Sequence, residues 1–423
     1  MARLMICLLL IAAAAVQGRH EKYEGHQLYY VAGSPADISA LEASLDIISM
    51  TPSSRSDSGK LEALVRLAPE EKQQWLKYFD DNKMSYTKFA DNLAEILRQE
   101  DQDIMKSRAR ASRNGRDMSW DTYYRHAEIN DYIDKIGEEY PELVTVINAG
   151  LSYEGRQIKY VRISTTRFEN LRKPVIVIDA AVHAREWVTP PVALYIINQL
   201  VVDIVDRRLT EEIDWVIIPL VNPDGYEYSM DEDRMWRKTR SRAHANSNAC
   251  PGVDGNRNFD HYWGTSPASA NPCSIIYEGP SAFSEPEIRV VRDAVLRQLD
   301  RTALYISLHS FGNIFLYAWG HNGTLPSNGL FLHLVGVRMA LAIDELALDT
   351  APPYVVGNAA AILYFTTGTS RDWTRAVGIP LTYTLELPGY EYGFLVPPTY
   401  VEQIVTETWA GIATGAHLVL ELL

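Results

Sequence analysis

Residues 20–110 carry short, half-polar apolar patterns. Residues 26–31 read as a strand, and Ile38, Leu41 and Leu45 recur at helical spacing across 36–46. Residues 61–68 alternate loosely, as a strand does. Pro69-Glu70-Glu71 opens a predicted helix, with proline early and acids in the first turn. Trp75, Leu76 and Phe79 are its expected apolar face. Residues 84–89 resemble a further strand, and Asp91 can cap a helix whose Leu93, Ile96 and Leu97 face inward. This mixture predicts a small α+β unit.

Beyond residue 117 the apolar runs change character. Residues 175–178, 215–220 and 303–308 are continuous, short and rich in β-branched or aromatic residues, as strands buried on both faces are. Helical patterns over 191–205 and 285–299 lie between them. Strands alternating with helices predict an α/β sheet with helices on both faces. Ligands in such sheets sit beyond the carboxyl ends of the strands.

Composition narrows the class. The 423 residues are 47% hydrophobic and 22% charged, enough apolar material for a large core. A formal net charge of −14 argues against nucleic acid as a partner, because phosphate binding wants a basic face. Arg3 is followed by an apolar run over 4–16, which predicts a secretory signal peptide over 1–18. That run is too short for a membrane-spanning helix, and no other run is long enough. Three cysteines are present, and Cys7 leaves with the signal. Cys250 and Cys273 then read as one disulfide in an oxidising compartment, the alternative being two buried thiols. Asn322-Gly-Thr324 is a glycosylation sequon compatible with export. The basic stretch Lys106-Ser-Arg-Ala-Arg110, followed by Arg113 and Arg116, is a candidate nicking site for a trypsin-like protease, or else a solvated linker. The expected organisation is signal 1–18, a small unit 19–110 and a large unit 111–423.

Candidate chemistry gathers at strand ends. The strand at 175 runs into His183 and Glu186, and the strand at 303 ends in His309. Two imidazoles and a carboxylate with an open fourth position make a catalytic zinc set, although a histidine can also simply cap a strand. Glu386 is flanked by leucines on a predicted strand, where a carboxylate is costly without a partner or a task. Beside a metal it suits general-base work. Asp254-Gly-Asn-Arg-Asn258 puts a guanidinium beside an amide, suited to capturing a carboxylate.

With those residues in view, the chain resembles the secreted zinc carboxypeptidase zymogens of the pancreatic A/B type. The resemblance covers essentially everything after the signal. It rests on separated motifs in the family's order: Tyr153-Glu-Gly-Arg156, His183-Ala-Arg-Glu-Trp187, Asn222-Pro-Asp-Gly225, Trp236-Arg-Lys-Thr-Arg240, Asp254-Gly-Asn-Arg-Asn258, His309-Ser310, Tyr364, Asp372-Trp373, Glu386 and Tyr392-Gly-Phe394. The resemblance implies one zinc ion on His183, Glu186 and His309, and Glu386 as general base and acid. It implies that Arg237 holds the oxyanion, and that Asn256, Arg257 and Tyr364 clamp the substrate's terminal carboxylate. Arg185 and Ser310 fall in the peptide-binding subsites, and Asp254 orients the first zinc histidine. Cys250 and Cys273 match the family's disulfide. The implied fold is α/β, a mixed eight-stranded sheet with helices on both faces, preceded by a small antiparallel α+β open-sandwich pro-domain. The implied partners are peptides or proteins with a free C-terminus and an activating trypsin-like protease, with a secreted monomer as the expected state.

Two positions depart from the family. Phe311 stands where tyrosine is common. The resemblance places position 371, here Arg371, at the floor of the specificity pocket, and implies an aliphatic residue there in apolar-preferring enzymes and an Asp in basic-preferring ones. Gly320, Ala359, Thr366 and Thr384 match the pocket walls, and none brings a negative charge. A cation at that floor favours a C-terminal Glu or Asp. If Arg371 turns away or pairs with an acid, the expected preference reverts to apolar residues. Two alternatives remain: a catalytically dead, peptide-binding relative, against which the presence of all three zinc-set residues and Glu386 speaks, and a zinc deacylase or amidohydrolase on a related sheet, against which the implied pro-segment and carboxylate clamp speak.

Overall fold

The computed structural model describes residues 19–42, 44–52, 60–113, 118–242 and 249–422. The expected signal peptide lies outside them.

Four strands, β1 (Gln27–Gly33), β2 (Asp46–Pro52), β3 (Leu61–Leu67) and β4 (Ser85–Ala90), form an antiparallel sheet in the order β2-β3-β1-β4. The period-two pleat sorts their side chains. Tyr29, Val31, Ala63 and Val65 face the helices Pro35–Glu42 and Lys72–Asp81, where Ile38, Leu41 and Phe79 complete a core. Leu28, Ile48 and Leu64 face the other way, onto Met235, Phe394 and Leu395 of the large unit. Trp75 and Leu76 are only partly buried, so Phe79 carries the buried face of its helix.

Three local expectations are corrected. The helical pattern over 36–46 stops at Glu42, and Asp46 already begins β2. Asp91 pairs with Lys88, and it is Asn92 Oδ1 that accepts the Ala94 N–H at 3.2 Å to cap the next helix. That helix, Leu93–Arg113, runs straight through the basic stretch and the expected boundary at 110, so Arg108 and Arg110 are helical. Arg116 lies outside the described residues. The helix is anchored to the large unit by Glu100, which receives Arg234 Nε at 2.7 Å and Nη2 at 2.9 Å in a buried bidentate pair.

The large unit is built on eight strands: β5 (Val144–Leu151), β6 (Gln157–Ile163), β7 (Val175–Ala180), β8 (Asp214–Ile218), β9 (Thr302–Ser310), β10 (Ile314–Tyr317), β11 (Val355–Asn358) and β12 (Leu381–Leu387). Their order is β11-β10-β12-β9-β7-β8-β6-β5. The central strands β12, β9, β7 and β8 are mutually parallel, whereas β5, β6 and β10 join antiparallel neighbours. Every residue of β7, β8 and β9 is buried, as their continuous apolar sequences require. One face packs under helices Thr189–Val201, Gly329–Asp344 and Val401–Leu422, the other under Pro286–Leu296 and Trp373 of helix Ser370–Ala376. The mixed eight-stranded sheet with helices on both faces, and the four-stranded antiparallel unit before it, are the architecture expected. The Cys250–Cys273 disulfide is present. No helix among the described residues is long and apolar enough to cross a membrane.

Candidate active site

The parallel register of the central sheet assembles the site. Glu386 of β12 pairs with His309 of β9. The neighbouring strand β7 ends at Ala180, and the chain turns at once into His183 and Glu186. Three ligand-type groups therefore converge. His183 Nδ1 lies 2.7 Å from Glu186 Oε1 and 3.1 Å from His309 Nδ1, and His309 Nδ1 lies 3.0 Å from Glu186 Oε2. All three residues are buried, and they form a cluster able to hold a metal ion. Two imidazoles and a carboxylate fit zinc, and the nitrogens already point at one another across the space an ion would fill. Although burial raises the pKa of Glu186, the two imidazoles hold it below the ordinary carboxylate range.

The far edges of the imidazoles are fixed. His183 Nε2 meets Asp254 Oδ1 at 3.0 Å. The other oxygen of Asp254 receives Arg237 Nε at 3.1 Å and Nη2 at 2.9 Å. One buried carboxylate thus positions both the first histidine and Arg237. Burial alone would raise Asp254, but Arg237 and His183 hold it well below its usual value. His309 Nε2 lies 3.1 Å from Ser307 Oγ, which donates at 2.7 Å to Asp179. Tyr305 donates to the same aspartate. Sequence reasoning missed Asp179; the available signal was an aspartate inside the unbroken apolar run of β7.

Most of the other predicted site residues line one cleft with this cluster: Arg185, Arg237, Asn256, Arg257, Ser310, Tyr364, Arg371 and Glu386. Asp254 lies just behind. Asn256 is fixed by accepting the Ser370 N–H at 2.9 Å, and Arg257 Nη1 donates to the Asn256 carbonyl at 2.9 Å. Burial, with Glu186 adding to it, pushes Glu386 up to about 7, although His309, Arg237 and Arg371 pull the other way. Phe311 lines the cleft and packs edge-on against Phe394.

Arg371 stays in the pocket, and it also has an acidic partner that the sequence reading did not place. Its Nε donates to Asp372 Oδ1 at 3.0 Å. Nη1 faces Thr384 Oγ1 at 3.5 Å, and Nη2 faces Thr366 at 3.2 Å and Thr369 at 3.4 Å. The inner edge is pinned while the outer nitrogens make only long contacts to hydroxyls. Gly320 leaves the space for this guanidinium, since a Cβ there would overlap Thr366 Oγ1 and Arg371 Nη2. The small sheet reaches the same cleft. Arg185 Nη1 donates to Asp46 Oδ1 and Nη2 to the Ile47 carbonyl, each at 3.0 Å, and Ile47, Ile48 and Met50 line the cleft wall.

A buried His–Glu–His cluster with a raised carboxyl beside it, at the carboxyl ends of parallel strands, defines a metal-dependent hydrolase. The comparisons narrow that class. The family described as zinc carboxypeptidase matches residues 129–411. A carboxypeptidase B of Helicoverpa zea is 44% identical over 97% of both chains. A carboxypeptidase B of Astacus astacus is 36% identical over 71% of this chain and 98% of its own. The crystal structure of a carboxypeptidase A from Helicoverpa armigera superposes with a TM-score of 0.87 at 38% identity, covering 95% of this chain and 98% of that one. The chain belongs to the zinc carboxypeptidase family. It is a metallopeptidase that acts on peptides.

Proposed function

We propose that the protein removes single C-terminal residues, with a preference for Glu or Asp, and is made as a secreted precursor held shut by its small sheet. The observation that carries this reading is the placement in one cleft of the metal cluster, Glu386, a set of carboxylate-binding donors and Arg371.

Each group has a task that its surroundings suit. One zinc ion on His183, Glu186 and His309 would supply Lewis acidity, lowering the pKa of water and polarising the scissile carbonyl. Glu386, with its carboxyl raised toward neutrality, takes a proton from the attacking water and returns it to the leaving amine. Arg237, locked by Asp254, donates to the carbonyl oxygen as negative charge develops there. Arg257 and Asn256, with Tyr364, bind the terminal carboxylate, and Arg185 and Ser310 hold the residues before it. A substrate without that carboxylate leaves a buried guanidinium unpaired, which restricts cleavage to chain ends.

The relatives carry both A and B names, so side-chain preference rests on Arg371. Arg371 does pair with an acid, Asp372, so its net charge no longer favours an acidic residue and the apolar preference stands as the second reading; a preference for Glu or Asp rests on its directed donors alone. Its outer nitrogens can exchange long contacts with threonine hydroxyls for a bidentate pair with a carboxylate.

In the precursor, Asp46 and Ile47 occupy Arg185, and β2 covers the cleft. A trypsin-like protease would release this cover by cutting among Arg108, Arg110, Arg113 and Arg116. The released enzyme is taken to act as a monomer outside the cell.

The test is to nick the full chain with trypsin and assay blocked dipeptides ending in Glu, Phe or Lys, with and without a zinc chelator. Chelator-sensitive release of Glu ahead of Phe is expected. Release of Phe first would remove Arg371 as the selectivity determinant, and no release from any substrate would remove the peptidase reading.

A further inference from the structure

A second cluster of metal-ligand groups lies behind the pocket floor. His261, His321 and Asp372 each offer one ligand atom, and the three atoms lie within 4.8 Å of one another. They come from separate segments: the turn after Arg257, the loop after β10, and the helix Ser370–Ala376. The His321 side chain is 8% exposed and that of Asp372 is fully buried.

The hydrogen bonding of this cluster is unfinished. His261 Nε2 and His321 Nδ1 are buried atoms with no hydrogen-bond partner. His321 Nδ1 is 3.9 Å from Asp372 Oδ2, beyond hydrogen-bond reach. Buried imidazole nitrogens are ordinarily satisfied, and leaving them bare is costly. The rings are held instead by aromatic contacts. His261 stacks on Trp319 with centroids 4.9 Å apart, and His321 stacks on Tyr262 at 3.8 Å. Tyr262 is 54% exposed, which gives the cluster a route to solvent.

We propose that His261, His321 and Asp372 form a second zinc-type site, separate from the catalytic cluster and coupled to the pocket floor through Asp372. Two imidazoles and a carboxylate select zinc and similar first-row dications over calcium or magnesium. Tetrahedral ligands about 2.1 Å from an ion stand roughly 3.4 Å apart, and His321 Nδ1 stands 3.9 Å from Asp372 Oδ2, so a small inward shift brings that pair to ligand spacing. The catalytic cluster is drawn together more tightly, at 2.7–3.1 Å.

The coupling follows from the two oxygens of Asp372. Oδ1 pairs with Arg371 Nε, while Oδ2 accepts the Gly320 N–H at 2.7 Å and faces the histidines. A dication on the histidine side draws carboxylate charge away from Arg371. The guanidinium is then less compensated and grips an acidic substrate side chain more strongly. This part rests on the selectivity reading above; the site itself does not.

Zinc is the probe. The full-length protein is equilibrated against buffered free Zn2+, and bound metal is counted by atomic emission. The expected result is two zinc per chain, falling to one in His321→Gln and in His261→Gln, where the retained first equivalent reports an intact fold. One zinc per chain at every concentration up to catalytic-site saturation and well beyond overturns the site. So does a second equivalent that survives in both variants. After nicking, the kcat/KM ratio for Glu over Phe substrates is expected to rise several-fold as the second site fills, and to stay flat in His321→Gln. A filled second site with an unchanged ratio overturns the coupling. Absence of any turnover counts against the peptidase reading alone, because the zinc count is read without it.

Discussion

The two ends of the cleft are built differently. At the metal end, the charged groups are fixed by more than one neighbour and sit on or just beyond the central strands. Asp254 holds His183 and Arg237 together, and strand register fixes Glu386 beside His309. At the pocket floor, Arg371 hangs from a short helix, is pinned at one edge by Asp372, and reaches only hydroxyls at the other. The groups at the metal end are each held from more than one side. The proposed selectivity would rest on one side chain and its immediate support.

Substitutions at each end test that separation. Glu386→Gln keeps the size and register of β12 but removes the base. Turnover should fall by about 10^3-fold or more with zinc content unchanged; activity above a tenth of wild type would break the assignment of the metal end. Arg371→Ile should lower kcat/KM for a C-terminal Glu by about 100-fold, the scale of a lost bidentate pair, while leaving zinc content and Phe turnover near wild type. A parallel loss for every substrate would show that the floor supports the chemistry as well.

How legible each end was follows from the same difference. Continuous apolar runs announced β7 and β9, and with them the strand ends carrying His183, Glu186 and His309. What is carried by side-chain pairing across distant segments was hidden. Asp46 meets Arg185 across 139 positions, and Glu100 meets Arg234 across 134. Arg371 was visible as a charge, but Asp372 was noted only as part of a motif and not as its partner. Strand β2 was missed because its residues follow a helical pattern without a break and owe their conformation to pairing with β3. The helix through 106–113 was missed for a related reason. Its basic residues suggest a solvated linker, yet Ser107 is buried, with its hydroxyl 2.7 Å from that of Thr122.

Two smaller effects sharpen the contrast from outside the catalytic groups. Asp46→Ala removes the carboxylate on Arg185 in the uncut chain and should raise its basal activity a few-fold, read on the best dipeptide before any protease is added. An unchanged basal rate would mean that the wall of Ile47, Ile48 and Met50 does the blocking alone. Glu287 lies away from the cleft, and its burial, with Glu285 beside it, pushes its carboxyl up to about 8. In the unfolded chain this group ionises at its ordinary value, near 4.5. Between those values the folded state holds the extra proton, so stability declines as pH rises from about 4.5 toward 8. Glu287→Gln keeps an acceptor for the Tyr153 N–H and should raise Tm at pH 9, with little change at pH 4 and none in selectivity. An equal gain at both pH values would show that the carboxyl's ionisation is not the cause.

The contact between Asp46 and Arg185 is made within one polypeptide, so its occupancy in the intact chain is independent of protein concentration. A covalent tether of this kind acts like a local concentration on the order of millimolar. Once the chain is cut beyond the helix Leu93–Arg113, the same contact becomes a bimolecular equilibrium. Its hold then weakens with dilution, and a concentrated nicked sample would show a lag that a dilute one does not.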